Sequence, residues 1–282
     1  MKTARIGRFL GGLAMAGIVA AGPAMTPAAA SAAGPSAAVA NCAAFAVSGN
    51  PRTTTGATWT YRSTDQGVRY ALEGVLFVPP TGTGPFAGVV VSHGKGGTPR
   101  GYSSNIARSM VGWGLVAIAT MYTHAPDADD LGNAPDGPDG ASTANVQRAA
   151  KARSLLACVG GVDLNRLAAH GHSMGAFVTG QLLGTFPGDF RAASHTAGGV
   201  SDGPNATKPA AAQQIITPYQ LHHGDADQVV ALALDQRLDS ILTANGVRHE
   251  LRVYAGYDHA RIAFDATMLS RVRAWYQTHG VL

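Results

Sequence analysis

The stretch AAHGHSMGAF, residues 168–177, decides the fold prediction for this chain. It places Ser173 between Gly171 and Gly175, among mostly small residues. The pattern G-x-S-x-G is typical of a sharp, strained turn from a strand into a helix, which requires small neighbours. Such a turn projects the serine hydroxyl above the edge of a sheet. The alternative is a tight turn with a purely structural serine, which the strand-like and helix-like flanks of the pentapeptide disfavour.

Strand-like and helix-like segments alternate on both sides of this turn. β-Branched and apolar runs predict strands within the following segments: 58–64, 70–80, 87–93, 115–122, 164–173, 190–198, 217–227 and 249–256. Amphipathic spacing predicts helices within 103–114, 142–159, 175–186, 230–246 and 260–280, the second of them capped by Ser142 or Thr143. The alternation predicts an α/β fold with about eight strands, antiparallel at the start and parallel thereafter, flanked by helices. In such sheets the functional residues follow the carboxyl ends of the strands.

Two further residues at predicted strand ends complete a nucleophilic constellation. A serine hydroxyl needs a base, and His259 follows the last predicted strand. The base needs an acid to orient it, and Asp227 follows the preceding strand in LHHGDADQVV, with Asp225 as the rival. We favour Asp227 because Val230 then anchors the next helix. The order serine, aspartate, histidine matches the elbow arrangement of one large hydrolase fold.

An anion-binding turn is predicted beside the serine. The loop SHGKGG, residues 92–97, follows a buried strand, and its glycines let backbone amides point at one spot. We assign the first oxyanion donor to the amide of Lys95, with Gly96 as the alternative. The second is the amide of Met174, at a helix N-terminus. We expect His93 to brace this loop.

The remaining polar motifs are predicted to be structural. We expect His172 to pack below the elbow and expect structural or surface roles for His195, His222 and His223. No histidine pair has metal-ligand spacing with a supporting carboxylate, and the acidic run at 127–130 lacks the EF-hand pattern. We therefore predict no metal and no cofactor.

Four motifs together resemble the α/β-hydrolase superfamily: VVVSHGKGG, GHSMGAF, HGDADQVV and YAGYDHA. The likeness spans roughly residues 60–280. It is greatest to secreted bacterial hydrolases of the dienelactone hydrolase and polyester hydrolase (cutinase-like) groups. The resemblance implies that Ser173 is the nucleophile, His259 the base and Asp227 the acid, with Lys95 and Met174 as oxyanion amides.

The sequence departs from both groups at informative positions. Dienelactone hydrolases carry cysteine at the elbow, where this chain has Ser173, which disfavours the dienelactone reaction. Polyester hydrolases usually carry an aromatic residue at the position of Lys95 and a tryptophan near Ala197 and Gly198, so binding of a polymer is disfavoured. About twenty residues separate the strands near 196 and 219, which predicts no large lid. The long loop 123–142 is expected to form one wall of the cleft.

The N-terminus predicts export. Residues 1–32 combine basic residues, an apolar run and a small-residue cleavage site near Ala32, as in a secretory signal peptide, and the run is too short and interrupted for a stable membrane anchor. Residues 33–55 are expected to be a loosely ordered lead-in, and 56–282 a single domain. An oxidising compartment favours a disulfide between Cys42 and Cys158.

Charge and motifs narrow the function. Three basic residues and no acidic ones lie in the leader, so the net charge of +4 falls to +1 without it, which does not indicate a nucleic-acid partner. We predict a secreted serine hydrolase, a monomer, that cleaves a small or polymeric ester. The alternatives are a serine peptidase of the prolyl-peptidase type and an inactive hydrolase-fold binding protein.

Overall fold

The computed structural model of this chain describes residues 40–124 and 140–282. The predicted signal peptide, residues 1–32, and the acidic run at 127–130 lie outside the described residues, as does most of the loop 123–142. Among the described residues, no helix is both long enough and apolar enough to cross a membrane.

A single mixed sheet organises the described residues. Its nine strands are β1 (Phe45–Ser48), β2 (Ala57–Asp65), β3 (Val68–Phe77), β4 (Phe86–Ser92), β5 (Leu115–Thr120), β6 (Val162–His172), β7 (Ala192–Thr196), β8 (Tyr219–Gly224) and β9 (His249–Tyr254). Their spatial order is β1-β2-β3-β5-β4-β6-β7-β8-β9. Strand β2 pairs antiparallel with both β1 and β3, and β3 pairs antiparallel with β5. The six strands that follow in the spatial order β5-β4-β6-β7-β8-β9 run parallel. This confirms the predicted mostly parallel α/β architecture.

Helices cover both faces of the sheet and connect its parallel strands. They are α1 (Ser104–Val111), α2 (Thr143–Leu155), α3 (Met174–Thr185), α4 (Pro209–Ala212), α5 (Leu232–Ala244), α6 (His259–Ile262) and α7 (Ala266–Thr278). Two apolar clusters fill the space between sheet and helices. The central strands β4 and β5 are buried almost throughout, as expected for parallel strands covered on both faces.

Helix ends follow local capping chemistry. Ser142 caps α2, since its hydroxyl accepts from the amide of Asn145 at 3.3 Å, which resolves the choice between Ser142 and Thr143. The predicted final helix over 260–280 is divided into α6 and α7. Asp265 accounts for the division, because its carboxylate caps the second helix by accepting from the amide of Met268 at 2.8 Å.

Residues 40–55, the described part of the expected lead-in, contain regular secondary structure. It contributes a short 3₁₀ turn, Cys42–Ala44, and the ninth strand β1, which pairs with β2 from Phe45 to Ser48. Cys42 and Cys158 form the predicted disulfide, with their α-carbons 5.3 Å apart and 116 positions apart in sequence. The bond ties this segment to the turn after α2, which gives a strand of only four residues a fixed position at the sheet edge.

Candidate active site

Ser173 occupies a strained turn between β6 and α3. Its φ is +55°, which non-glycine residues rarely adopt, and its amide donates to the carbonyl of Thr196 at 3.0 Å. The flanking glycines permit this geometry. A β-carbon on Gly171 would lie 2.1 Å from the carbonyl oxygen of Gly175, and one on Gly175 would lie 2.2 Å from that of Ser92. The helix therefore meets the sheet at a distance that only glycine allows.

Three strand ends bring a hydroxyl, an imidazole and a carboxylate into one chain of hydrogen bonds. The Nε2 atom of His259 lies 2.9 Å from the hydroxyl oxygen of Ser173, and Nδ1 lies 2.7 Å from Oδ2 of Asp227. A carboxylate can only accept, so Nδ1 carries the ring proton and Nε2 is left to accept from the serine. Ser173 is 8% exposed and the His259 side chain 18% exposed, so the pair can be reached from solvent.

The carboxylate of Asp227 is fully buried and held at both oxygens. Oδ1 accepts from the amides of Val229 and Val230 at 2.8 and 2.9 Å, while Oδ2 accepts from His259. Burial raises the pKa of Asp227, but these hydrogen bonds favour the ionised form more strongly, so its pKa lies below the usual value. The carboxylate is therefore ionised at neutral pH, as an imidazole-orienting group must be.

Asp225, the rival acid, is directed elsewhere. Its Oδ1 accepts from the amide of Gly256 at 2.7 Å, and its own amide donates to the carbonyl of Tyr254. Asp225 thus joins the ends of β8 and β9. The structure brings Asp227, rather than Asp225, to His259.

The glycine-rich loop after β4 lies directly against the elbow. A β-carbon on Gly94 would lie 3.2 Å from the β-carbon of Ser173. The amide of Gly96 donates to the carbonyl of His124 at 3.1 Å, and Gly97 donates to Gly94 at 3.1 Å, which folds the loop into a turn. Met174 is the first residue of α3, so its amide has no acceptor within the helix.

His93 braces this loop as predicted. It is fully buried, with Nδ1 donating to the carbonyl of Gly94 at 2.9 Å and Nε2 accepting from the amide of Tyr122 at 3.3 Å. His124 adds a second support, because its Nε2 donates to the carbonyl of His93 at 2.9 Å. Burial, together with the neighbouring His124 ring, lowers the pKa of His93 to about 3, so the brace is neutral.

His172 packs beneath the elbow, as predicted. Its ring lies against those of Tyr102 and His259, with centroids 5.2 and 4.7 Å away, and Nδ1 bonds to the hydroxyl of Thr196 at 2.8 Å. Burial and the nearby His259 hold the pKa of His172 well below its usual range. His172 is therefore a neutral wall of the site rather than a second base.

A second buried network, centred on Asp235 of α5, was not predicted. Oδ1 of Asp235 lies 2.7 Å from Nε2 of His195, and Oδ2 lies 2.7 Å from Nδ1 of His223. The sequence carried one signal for it. Asp235 occurs three and seven residues before Leu238 and Leu242, on the buried stripe of the helix, where a carboxylate requires a buried partner.

The described residues hold no cluster of three or more histidine, cysteine or acidic side chains arranged for a metal ion. His195, for which a structural or surface role was expected, is fully buried against Asp235 and Tyr219, in agreement with the structural alternative. His222 and His223 are also fully buried, on strand β8.

Comparison with known proteins identifies the family and the fold. The model described as the dienelactone hydrolase family matches residues 72–274. No curated protein sequence matches the chain. A cold-adapted esterase from an Arctic intertidal metagenomic library superposes with a TM-score of 0.62 at 19% identity, covering 79% of this chain and 95% of that one.

Two other solved structures share the fold. An esterase from the Planctomycetes species Thermogutta terrifontis, bound to propionate, gives a TM-score of 0.60 at 17% identity over 86% of this chain and 97% of that one. A puromycin-hydrolyzing peptidase of Mycobacterium tuberculosis gives 0.61 at 18% identity over 83% of this chain. The present chain spans only 45% of that peptidase.

Proposed function

The chain belongs to the dienelactone hydrolase family, and from that premise we propose that it is a serine hydrolase that cleaves carboxylic esters through an acyl-enzyme on Ser173. One observation carries the proposal: the continuous relay from the Ser173 hydroxyl through His259 to the buried Asp227 carboxylate, at 2.9 and 2.7 Å. These distances are those at which a base can take a proton from a nucleophile and an acid can orient the base.

The proposed reaction uses side chains and amides of the chain itself. The Ser173 oxygen attacks the acyl carbon while its proton passes to Nε2 of His259, and the ionised Asp227 stabilises the resulting imidazolium. The imidazolium then donates its proton to the departing alcohol. Water, deprotonated by the same nitrogen, attacks the acyl-enzyme and releases the acid and the free serine.

The negative charge of the tetrahedral intermediate is assigned to two amides. Met174 supplies one, at the N-terminus of α3, where the helix dipole also favours an anion. For the second oxyanion amide we propose the backbone N–H of Lys95. The alternative, Gly96, donates its amide to the carbonyl of His124, so it points away from this role.

The surroundings of the relay favour direct entry of small esters. Residues 197–218, where a helical lid would be inserted, contain only the four-residue helix α4. Exposed apolar side chains lie near the acid and the base, Val229 at 70% and Phe264 at 43% exposure. Phe264 also packs on Tyr102, whose ring contacts His172 below the elbow. These groups offer an apolar surface for an acyl or alkyl chain.

Labelling with a fluorophosphonate tests the nucleophile. The adduct is expected on Ser173 and is expected to be absent from Ser173→Ala. An unlabelled wild-type protein would instead support a hydrolase-fold binding protein.

A panel of p-nitrophenyl esters, compared with peptide p-nitroanilides, tests the preference for esters. Faster cleavage of the anilides would support the peptidase alternative. Ser173→Ala is expected to fold normally and to lose at least ~10³-fold in rate.

We also propose that the mature chain is exported after cleavage of the leader. The Cys42–Cys158 disulfide supports it, because such bonds persist in oxidising compartments and are rare in the cytosol. Expression with the native leader and N-terminal sequencing of the medium fraction is the test. A mature N-terminus near residue 33 is expected, and retention of the intact leader in the cell would contradict export.

A further inference from the structure

A second histidine, His223, lies beside the carboxylate of Asp227. Nε2 of His223 lies 3.5 Å from Oδ2 of Asp227, the same oxygen that accepts from His259. The side chains of His223 and Asp227 are both fully buried. Nothing in the proposed reaction uses His223.

The hydrogen-bond partners of His223 determine its protonation. Nδ1 lies 2.7 Å from Oδ2 of Asp235, and Nε2 lies 2.9 Å from the carbonyl oxygen of Val230. A carbonyl can only accept, and an ionised carboxylate can only accept. Both ring nitrogens must therefore donate, which requires the imidazolium form.

The surroundings of Asp235 stabilise its ionised carboxylate. Burial raises its pKa, but the charges and hydrogen bonds of His195 and His223 outweigh burial, and its pKa lies well below the usual value. Its other oxygen accepts from His195, whose Nδ1 lies 2.5 Å from the hydroxyl of Tyr219. Burial lowers the pKa of His223, yet the bond and charge of Asp235 raise it above the usual value.

We propose that His223, held as an imidazolium by Asp235, is a positioning residue that keeps the Asp227 carboxylate ionised and limits how strongly His259 holds a proton. The inference rests on the proposed roles of Asp227 and His259. Without a cation at 223, two buried carboxylates would face each other with no counter-charge between them, which is unfavourable in a low-dielectric interior.

The consequence for His259 is electrostatic. In the free enzyme the Asp227 carboxylate attracts a proton to His259, and the His223 cation, beside the same oxygen, offsets part of that attraction. A base must be unprotonated before it can accept the serine proton. The cation therefore extends the pH range in which His259 is available toward acid.

The other titratable groups around these two rings do not supply this charge. His223 faces Asp235 from α5, Asp227 from the turn after β8, and His172 from the end of β6. His259 faces Asp227 and the ring of His172. His172 is neutral, because its pKa lies well below its usual range. His223 is therefore the cation that lies beside both Asp227 and Asp235.

The test substitutes His223→Gln and uses His222→Gln as the matched control. His222 is the adjacent residue of β8 and equally buried, but its ring bonds to Tyr254 and Gln220 rather than to the acid. Nitrogen-15 NMR of the histidine rings follows the titration of His259 in the wild type and both variants. The midpoint is expected to rise by about one pH unit in His223→Gln and to stay unchanged in His222→Gln.

The acid limb of kcat/KM on a p-nitrophenyl ester is expected to move by the same amount in the same direction. An unmoved His259 midpoint in a folded His223→Gln protein overturns the inference. If that variant does not fold, the wild-type spectrum decides: two protonated ring nitrogens on His223 at neutral pH support the inference, and a neutral ring refutes it. The NMR readouts do not require turnover, so failure of the ester-hydrolase proposal would be seen separately, as absent hydrolysis and absent labelling of Ser173.

Discussion

Gly175 of helix α3 packs directly on the carbonyl oxygen of Ser92, the last residue of β4: a β-carbon at position 175 would lie 2.2 Å from that oxygen. The same β-carbon would also lie 2.7 Å from the carbonyl oxygen of His93. Both oxygens belong to backbone, which cannot rotate away as a side chain could. The close approach fixes the helix that begins beside the nucleophile to the loop that holds the predicted oxyanion amide.

Gly175→Ala is expected to displace α3 from β4 and to cost more than about 3 kcal/mol in unfolding free energy. Urea denaturation measures the loss, and the labelling rate of Ser173 reports damage to the elbow. Gly160→Ala is the control, because a β-carbon there meets no atom within 4 Å. Equal stabilities of the two variants would contradict the packing argument.

Asp227→Asn is expected to reduce kcat by about 10³- to 10⁴-fold with little change in folding. An amide at this position no longer stabilises the imidazolium of His259, although the amides of Val229 and Val230 can still bond to its oxygen. Kinetics on a p-nitrophenyl ester measure the loss. Asp225→Asn, which alters only the link to Gly256, should retain most activity. A larger loss in Asp225→Asn than in Asp227→Asn would reverse the assignment of the acid.

The protein is expected to lose stability as the pH falls below about 6.5, the usual pKa of histidine. Burial lowers the pKa of His93 and of His170 to about 3, so the folded chain leaves both rings neutral between pH 6.5 and 3. The unfolded chain takes up those protons over the same range, so acid favours unfolding. Each such histidine contributes about 1.4 kcal/mol per pH unit.

Urea denaturation between pH 7.5 and 4.5 measures this slope. His170→Gln removes one of the neutral rings, which bonds to Ser194 rather than to the candidate site. The variant should show a shallower loss, by about one proton per molecule. A slope identical to that of the wild type would show that His170 is not held neutral in the folded protein.

Replacing both Cys42 and Cys158 by serine is expected to lower the unfolding free energy by about 4–5 kcal/mol, because the bond closes a long loop of the unfolded chain. Turnover at 25 °C should be retained. Cys158 precedes β6, while Ser173 follows its opposite end, so the bond lies away from the relay. Thermal unfolding with and without reductant is the measurement, with ester hydrolysis followed in parallel. Lost turnover in a protein that remains folded would place the bond's role at the site instead.

The parts of the site that could be predicted from the sequence are those that depend on patterns among neighbouring residues. A strained serine needs glycines two residues to either side, and these are visible as Gly171 and Gly175. Parallel strands end at the same edge of a sheet. Residues that directly follow such strands, as Asp227 and His259 do, can therefore be predicted to lie close together. The disulfide was predicted from the two cysteines of the sequence together with the predicted export leader.

Other features depended on contacts that no local pattern records. Strand β1 is four residues long, and its place at the sheet edge follows from pairing with β2 and from the bond at Cys42. The amide of Gly96 donates to the carbonyl of His124, more than twenty-five residues away in sequence, and no local pattern indicates that contact.

The sequence by itself determined the parallel sheet, the elbow and the order of serine, acid and base, because strand periodicity and glycine spacing are properties of neighbouring residues. Only the tertiary structure decided that Asp235 lies between His195 and His223, and that His223 borders Asp227. Protonation of a buried ring depends on which acceptors surround it, and those acceptors come from separate strands and helices that meet only when the chain folds.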